Sequence, residues 1–442
     1  MHGMERLNPH QTIILQTMIL VPFIYFSLLT YYWWKKHQGV DVCVYMSGLY
    51  TLTSFLSIVI VANDLLDEGG ILFDTFDLEL NVVPTILYCV LLTIGMLPFS
   101  MIYKNDLRCI YTNNPLILDA LSCFLILISL LNLYLVADST LEILSGDLST
   151  VRSDHYEGIE SPAQVKAESM PYIFRFLYYF NTSTLLAIPL FFYYLCFGER
   201  PRWFALLLFF ASLSMPLAGI QSADRTEVVF YGMMFITCLI LFRPHLSRKV
   251  RTLLKVISIP IALAATVYFV AVSDARFSKR DGGAATSALQ YAGQGYLNFC
   301  FFWEKANSDY VTAEREFPLI SHYVFKIDND DYRRSVRSGQ QGFFMSVFAT
   351  YIGDVMLDLT PVGMTLWLVA FFLIAIIIFK WPHRKELTAG ELLMFFVLSI
   401  IPVFGIFYYR LMSYTYTFMV ILAVLFYLSD KYKFIISRKE IS

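Results

Sequence analysis

The chain has 442 residues, of which 57% are apolar, 17% aromatic and 15% charged. Soluble domains carry roughly 25% charged residues, and here the apolar residues gather into runs of about 20, the length that crosses a bilayer as helix. This excludes a soluble multi-domain enzyme, and a formal net charge of −2 implies neither a nucleic-acid partner nor a global acidic tail.

Eleven apolar runs read as spanning helices: 13–34, 42–63, 81–103, 115–137, 172–196, 203–221, 226–243, 256–273, 361–379, 390–409 and 411–429. They are continuous rather than alternating, which predicts an all-α polytopic bundle and not a barrel, because helices satisfy their own backbone in lipid. The first run has one Arg before it and no small-residue cleavage site after it, as expected of an uncleaved helix. Alternate short loops carry 18 Lys and Arg against six on the other side. The positive-inside rule then places the N-terminus outside and the C-terminus inside.

Three longer segments outside the membrane lie between the runs. Residues 64–80 hold six acids and no Lys or Arg, and residues 138–171 are polar. Residues 274–341 form a loop with nine basic and nine acidic residues, too long for a plain connection. Within it, Leu289–Trp303 is apolar and aromatic but interrupted by glycines, which suggests an interfacial or re-entrant piece. Residues 343–358 read as a helix at or dipping into the outer face. The expected organisation is a first bundle over 1–273, a large external loop with interfacial helices over 274–360, and the last three spans with a tail over 361–442. Only Cys300 of the seven cysteines falls in an external loop, so no disulfide framework is expected there.

Charge near the membrane is costly and points to function. Arg175 lies four residues into the fifth run, Arg225 in the turn Gln221-Ser-Ala-Asp-Arg-Thr-Glu227, and Arg410 between the last two runs. All three are expected at one external depth. Guanidinium groups hold phosphate oxygens two at a time, and a helix N-terminus adds N–H donors. Arg276 and Arg280 open the long loop, where His322 and Glu304 are rival general bases for a hydroxyl acceptor. The plain alternatives are snorkelling, local pairing with Asp224 or Glu227, and ordinary surface ion pairs. The Asp77/Glu79 and Asp328/Asp330/Asp331 acids suit a hard divalent ion in type but are common loop residues. No metal site is assigned. Asp119 and Glu391 sit just inside helices, where capping or local pairing is the simple role.

The stretch Pro216-Leu-Ala-Gly-Ile-Gln-Ser-Ala-Asp-Arg-Thr-Glu-Val-Val-Phe-Tyr-Gly232, the basic Arg243–Lys249 segment after it, and the late loop with Gln290–Tyr296 and Tyr351-Ile-Gly-Asp354 resemble bacterial oligosaccharide repeat-unit polymerases. These are the Wzy-type O-antigen polymerases, related to the O-antigen ligases. The resemblance implies a glycosyltransferase-C-like scaffold acting outside the cytoplasmic membrane on polyprenyl-pyrophosphate-linked oligosaccharide. A chain-length regulator and a flippase would belong to the same pathway, and no cofactor is needed. Arg225 matches by motif, and His322 resembles the ligases' external-loop histidine by placement. Ligation to another acceptor is the nearest alternative. A metal-dependent transferase using Asp77 and Glu79 is a third. A lipid-linked oligosaccharide flippase or transporter is a different class, expected to show repeats that are not visible here.

Overall fold

In a computed structural model the chain is described over residues 9–63, 65, 80–102, 107–145, 165–166, 169–221, 225–277, 283–305, 317, 324, 347–380 and 385–432. Helices dominate. In chain order they are α1 (Pro9–Lys36), α2 (Val42–Ala62), α3 (Val82–Met96), α4 (Pro115–Ser145), α5 (Tyr172–Tyr178), α6 (Ala187–Cys196) and α7 (Arg202–Ser212). There follow α8 (Ser214–Gln221), α9 (Thr226–Phe242), α10 (Arg248–Phe277), α11 (Gly283–Lys305), α12 (Thr350–Phe379), α13 (Ala389–Phe404) and α14 (Tyr414–Lys431). Among the described residues two short strands, β1 (Cys109–Tyr111) and β2 (Glu386–Thr388), pair in parallel, with Cys109 opposite Glu386.

Among the described residues six segments are long and apolar enough to cross a membrane: 17–36, 42–62, 82–101, 115–137, 202–220 and 350–379. Three apolar helices, 181–196, 226–242 and 389–404, are shorter. The protein is an all-α membrane protein. The run expected at 256–273 falls inside α10, and that expected at 411–429 overlaps α14, which starts at Tyr414 after a 3-10 turn over Arg410–Met412. The run expected at 172–196 is broken, with α5 ending at Tyr178 and a 3-10 segment over Asn181–Leu186 preceding α6. Asn181, Thr182, Ser183 and Thr184 crowd this break, where short polar side chains compete for backbone groups; the Thr184 hydroxyl donates to the Asn181 carbonyl at 2.7 Å.

The helices group into two compact units. The first comprises Met1–Met101, Ser273–Ile377 and Ser399–Tyr414. Its α1–α2 hairpin turns through Gln38 (φ 51°) and Gly39 (φ 136°). Asp41 caps α2 by accepting the Val44 N–H at 3.0 Å, while its other oxygen meets the buried His37. The glycine-rich Leu289–Trp303 stretch, which the sequence suggests is interrupted, is instead part of the continuous 23-residue α11. The physical reason is packing. At Gly293 an added Cβ would lie 2.6 Å from Ile60 Cδ1 and 2.7 Å from the Leu56 backbone, and the Ser57 hydroxyl donates to the Gly293 carbonyl. The missing side chain lets α11 close on α2.

The amides Gln290, Gln294 and Asn298, four residues apart, are buried on α11. Gln290 donates to the Leu65 carbonyl at 2.7 Å, and Asn298 donates to Gln294 at 3.1 Å and the Phe348 carbonyl at 2.8 Å. Such bonds are what make buried amides tolerable. In the same unit α12 is kinked at Thr360 (φ 65°, ψ 168°), directly before Pro361. Proline disfavours the helical conformation at the residue before it, and Thr360 has left that conformation, so the segment expected at 343–358 and the span expected from 361 meet at this break.

The second unit comprises Ile102–Val272, Ile378–Leu398 and Thr415–Ser442. Its polar end is organised by three carboxylates. Asp430, fully buried, accepts from the Thr112 hydroxyl at 2.9 Å and from the N–H groups of Asn113 (2.7 Å) and Gly390 (2.9 Å). Glu391 accepts the Thr388 N–H at 2.9 Å while the Thr388 hydroxyl accepts the Glu391 N–H at 3.1 Å. This reciprocal pair is a capping box that starts α13. Asp119 accepts from Tyr194 at 2.7 Å and from Arg200 Nε at 3.0 Å.

Candidate functional site

Arg225 stands at the head of α9, with its backbone at the N-cap position and no side-chain cap hydrogen bond. A guanidinium has only donors, so it cannot satisfy the first N–H groups of its own helix. It adds positive charge to the end that the helix dipole already makes positive. From Arg225 a groove of about 280 Å³ runs along Val228, Val229, Gly232, Met233 and Ile236, with Thr266 and Tyr268 of α10 completing its lining. The α9 positions recur at three- and four-residue steps and therefore share one helix face. At Gly232 an added Cβ would meet nothing within 4 Å, so this residue leaves the groove open. The site is thus a half-buried cation at the end of an apolar trough. That combination suits an anionic head carrying a hydrocarbon chain.

The other expected arginines are held locally. Arg175, exposed in the last turn of the seven-residue α5, lies 5.8 Å from the Tyr172 ring centroid. Arg410, half-buried in the first unit, stands 5.4 Å from the Phe404 ring and 5.7 Å from the Tyr408 ring, and donates to the Tyr408 hydroxyl. Arg175 and Arg225 belong to the second unit, and Arg410 and Glu304 to the first. Glu304, near the end of α11, is half-buried and accepts from the Asn81 amide. Arg276 is in the last turn of α10. His322, Arg280, Asp77, Glu79, Asp328, Asp330 and Asp331 lie outside the described residues.

Asp119 and Glu391 take the simple roles: the first pairs with Arg200, and the second caps α13 through one oxygen while the other lies 3.7 Å from Lys380 Nζ. The hydrogen bond to Asp119 raises the Arg200 pKa above its ordinary value. Sequence reasoning did not anticipate Thr266 and Tyr268 as groove wall, because no motif links them to Arg225. The three- and four-residue steps from Arg225 to Ile236 were the available signal for the α9 side. Two acids of α12 are buried: Asp354, marked in the sequence only as the end of Tyr351-Ile-Gly-Asp354, accepts the Tyr409 N–H at 2.8 Å, and Asp358 was not singled out. Comparison with family models, with curated proteins and with solved structures finds no match for this chain.

Proposed function

We propose that this protein polymerises polyprenyl-pyrophosphate-linked oligosaccharide repeat units into a surface polysaccharide, whether O-antigen, capsule or exopolysaccharide. The reaction takes place on the outer face of the bacterial cytoplasmic membrane. The observation that carries the reading is Arg225 at the mouth of the apolar groove on α9. The guanidinium takes the pyrophosphate, and the trough takes part of the prenyl chain. In this reading the scaffold has eleven spans in a glycosyltransferase-C-like arrangement, with the N-terminus outside and the C-terminus inside.

The acceptor hydroxyl attacks the anomeric carbon of the donor glycan, and the polyprenyl pyrophosphate leaves. Charge grows on the leaving oxygens as the bond breaks, so Arg225 acts most strongly at the transition state. The hydroxyl proton goes to a base, for which His322 and Glu304 are the candidates. A chain-length regulator and the flippase that delivers repeat units are the expected partners.

The test is the surface glycan length profile of a strain lacking the protein, complemented with variants at matched protein level. Arg225→Ala is expected to lower polymerisation roughly a hundredfold, the scale of losing one transition-state donor. Arg225→Lys should restore part of it, keeping the charge but not the two-point geometry. Gly232→Leu should fill the groove and depress activity while the melting temperature holds. Long glycans accumulating on the lipid carrier would indicate ligation instead. An unchanged profile in the null strain would overturn both and leave transport.

A further inference from the structure

The loop and helix that follow α9 carry Arg243, Arg248, Lys249, Arg251 and Lys255, with no acid between 243 and 255. All five are exposed. Among the described residues none of the five is in an ion pair. On α10, Arg248, Arg251 and Lys255 are spaced by three and four residues and so project along one face. Beyond them the same helix exposes an apolar row: Val256 (60%), Ile259 (68%), Leu263 (65%), Val267 (62%) and Val270 (56%). A continuous exposed row of this kind marks a surface covered by lipid or protein.

The lengths discriminate between these occupants. The basic part of α10, residues 248–255, is about 12 Å long at 1.5 Å per residue. The headgroup layer on one side of a bilayer is roughly 5–8 Å deep. The apolar part, 256–273, is about 27 Å long, close to the hydrocarbon thickness of about 30 Å. With its apolar row in hydrocarbon, α10 therefore sets its basic turns within the headgroup layer and just beyond it.

We infer that the basic first two turns of α10, together with Arg243, form a binding site for the phosphate headgroups of anionic phospholipids. The acyl chains lie along the row from Val256 to Val270. Phosphate meets two or three cations on one helix face, and the hydrocarbon continues down that helix without a break. The wall of the Arg225 groove is built from Thr266 and Tyr268 of this same helix, so a lipid bound here also fixes the depth of that wall. The inference rests on exposure, charge and helix length and is independent of the polymerase reading.

The test titrates the full-length purified chain with phosphatidylglycerol and with phosphatidylcholine, and counts retained lipid by native mass spectrometry. Wild type should prefer phosphatidylglycerol, and R248Q/R251Q/K255Q should lose that preference by at least about tenfold, given the contribution of each cation at an anionic surface. R248K/R251K, which keeps the charge, should retain it. Circular dichroism of each variant establishes that the helix is intact. Inorganic phosphate, which has the head chemistry without the chains, should not displace the lipid. Equal retention of the two lipids by wild type, an unchanged preference in the triple variant, or displacement by inorganic phosphate would each overturn the inference.

Discussion

At Asp430 both carboxylate oxygens face donors: Thr112 and Asn113 on one side, the Gly390 N–H on the other. Asp430→Asn keeps the shape but turns an NH2 group toward a backbone N–H in either flip. One buried donor then has no acceptor, which costs about 1–3 kcal/mol, and thermal unfolding in detergent should fall by the corresponding amount. His245 offers a pH test. Its ring packs 4.8 Å from that of Phe197, and burial lowers its pKa below the ordinary histidine value, only partly opposed by a hydrogen bond with the Leu107 backbone. A folded pKa below the unfolded one means the unfolded chain binds the proton first, so stability rises with pH across that interval. As pH falls below about 6.5, wild type should lose melting temperature that His245→Phe does not lose. Identical pH profiles for the two would rule out this role.

Helix α11 is where the sequence and the structure part most clearly. Its glycines read as breaks because glycine weakens an isolated helix, yet Gly293 is where the helix meets the backbone of α2. Gly293→Val should cost about 1–3 kcal/mol through overpacking, since two of the three nearest obstacles are Leu56 main-chain atoms, which cannot rotate away as the Ile60 side chain can. Gly48, on α2 itself, has open space around it, and Gly48→Ala should be neutral or stabilising by about 0.5–1 kcal/mol. The melting temperatures of the two variants should move apart. The same contrast explains what was legible. Runs such as 42–63 and 115–137 announce themselves through hydropathy alone, whereas the break at Pro361 has no counterpart at Pro22, Pro260 or Pro402, which helices accommodate. Close approach of two helices depends on a partner distant in sequence, so Gly293 could not be told from a helix breaker. Arg225 was legible because a polar turn between apolar helices is locally conspicuous, whereas Thr266 and Tyr268 become groove wall only through tertiary packing.

Across the molecule, the parallel pairing of β1 with β2 constrains topology. Residues 109–111 and 386–388 must lie on one side of the membrane, so the chain crosses an even number of times between them. The eleven-run reading has six crossings there, with both loops on the basic side. Tyr111→Cys and Glu386→Cys, in a background with the native cysteines replaced, should react with an impermeant maleimide from the same face. Labelling from opposite faces would refute the arrangement.

The Asp430 junction also dictates an order of events during synthesis. The second unit begins at Ile102 but draws its closing pieces from residues 378–398 and from 415 onward. Thr112 and Asn113 therefore emerge long before the carboxylate that will hold them. The helices from α4 to α10 are made as an unfinished assembly. A ribosome that stalls before Asp430 leaves this early-made half open, so damage near the end of the message is felt in the part of the protein translated long before it.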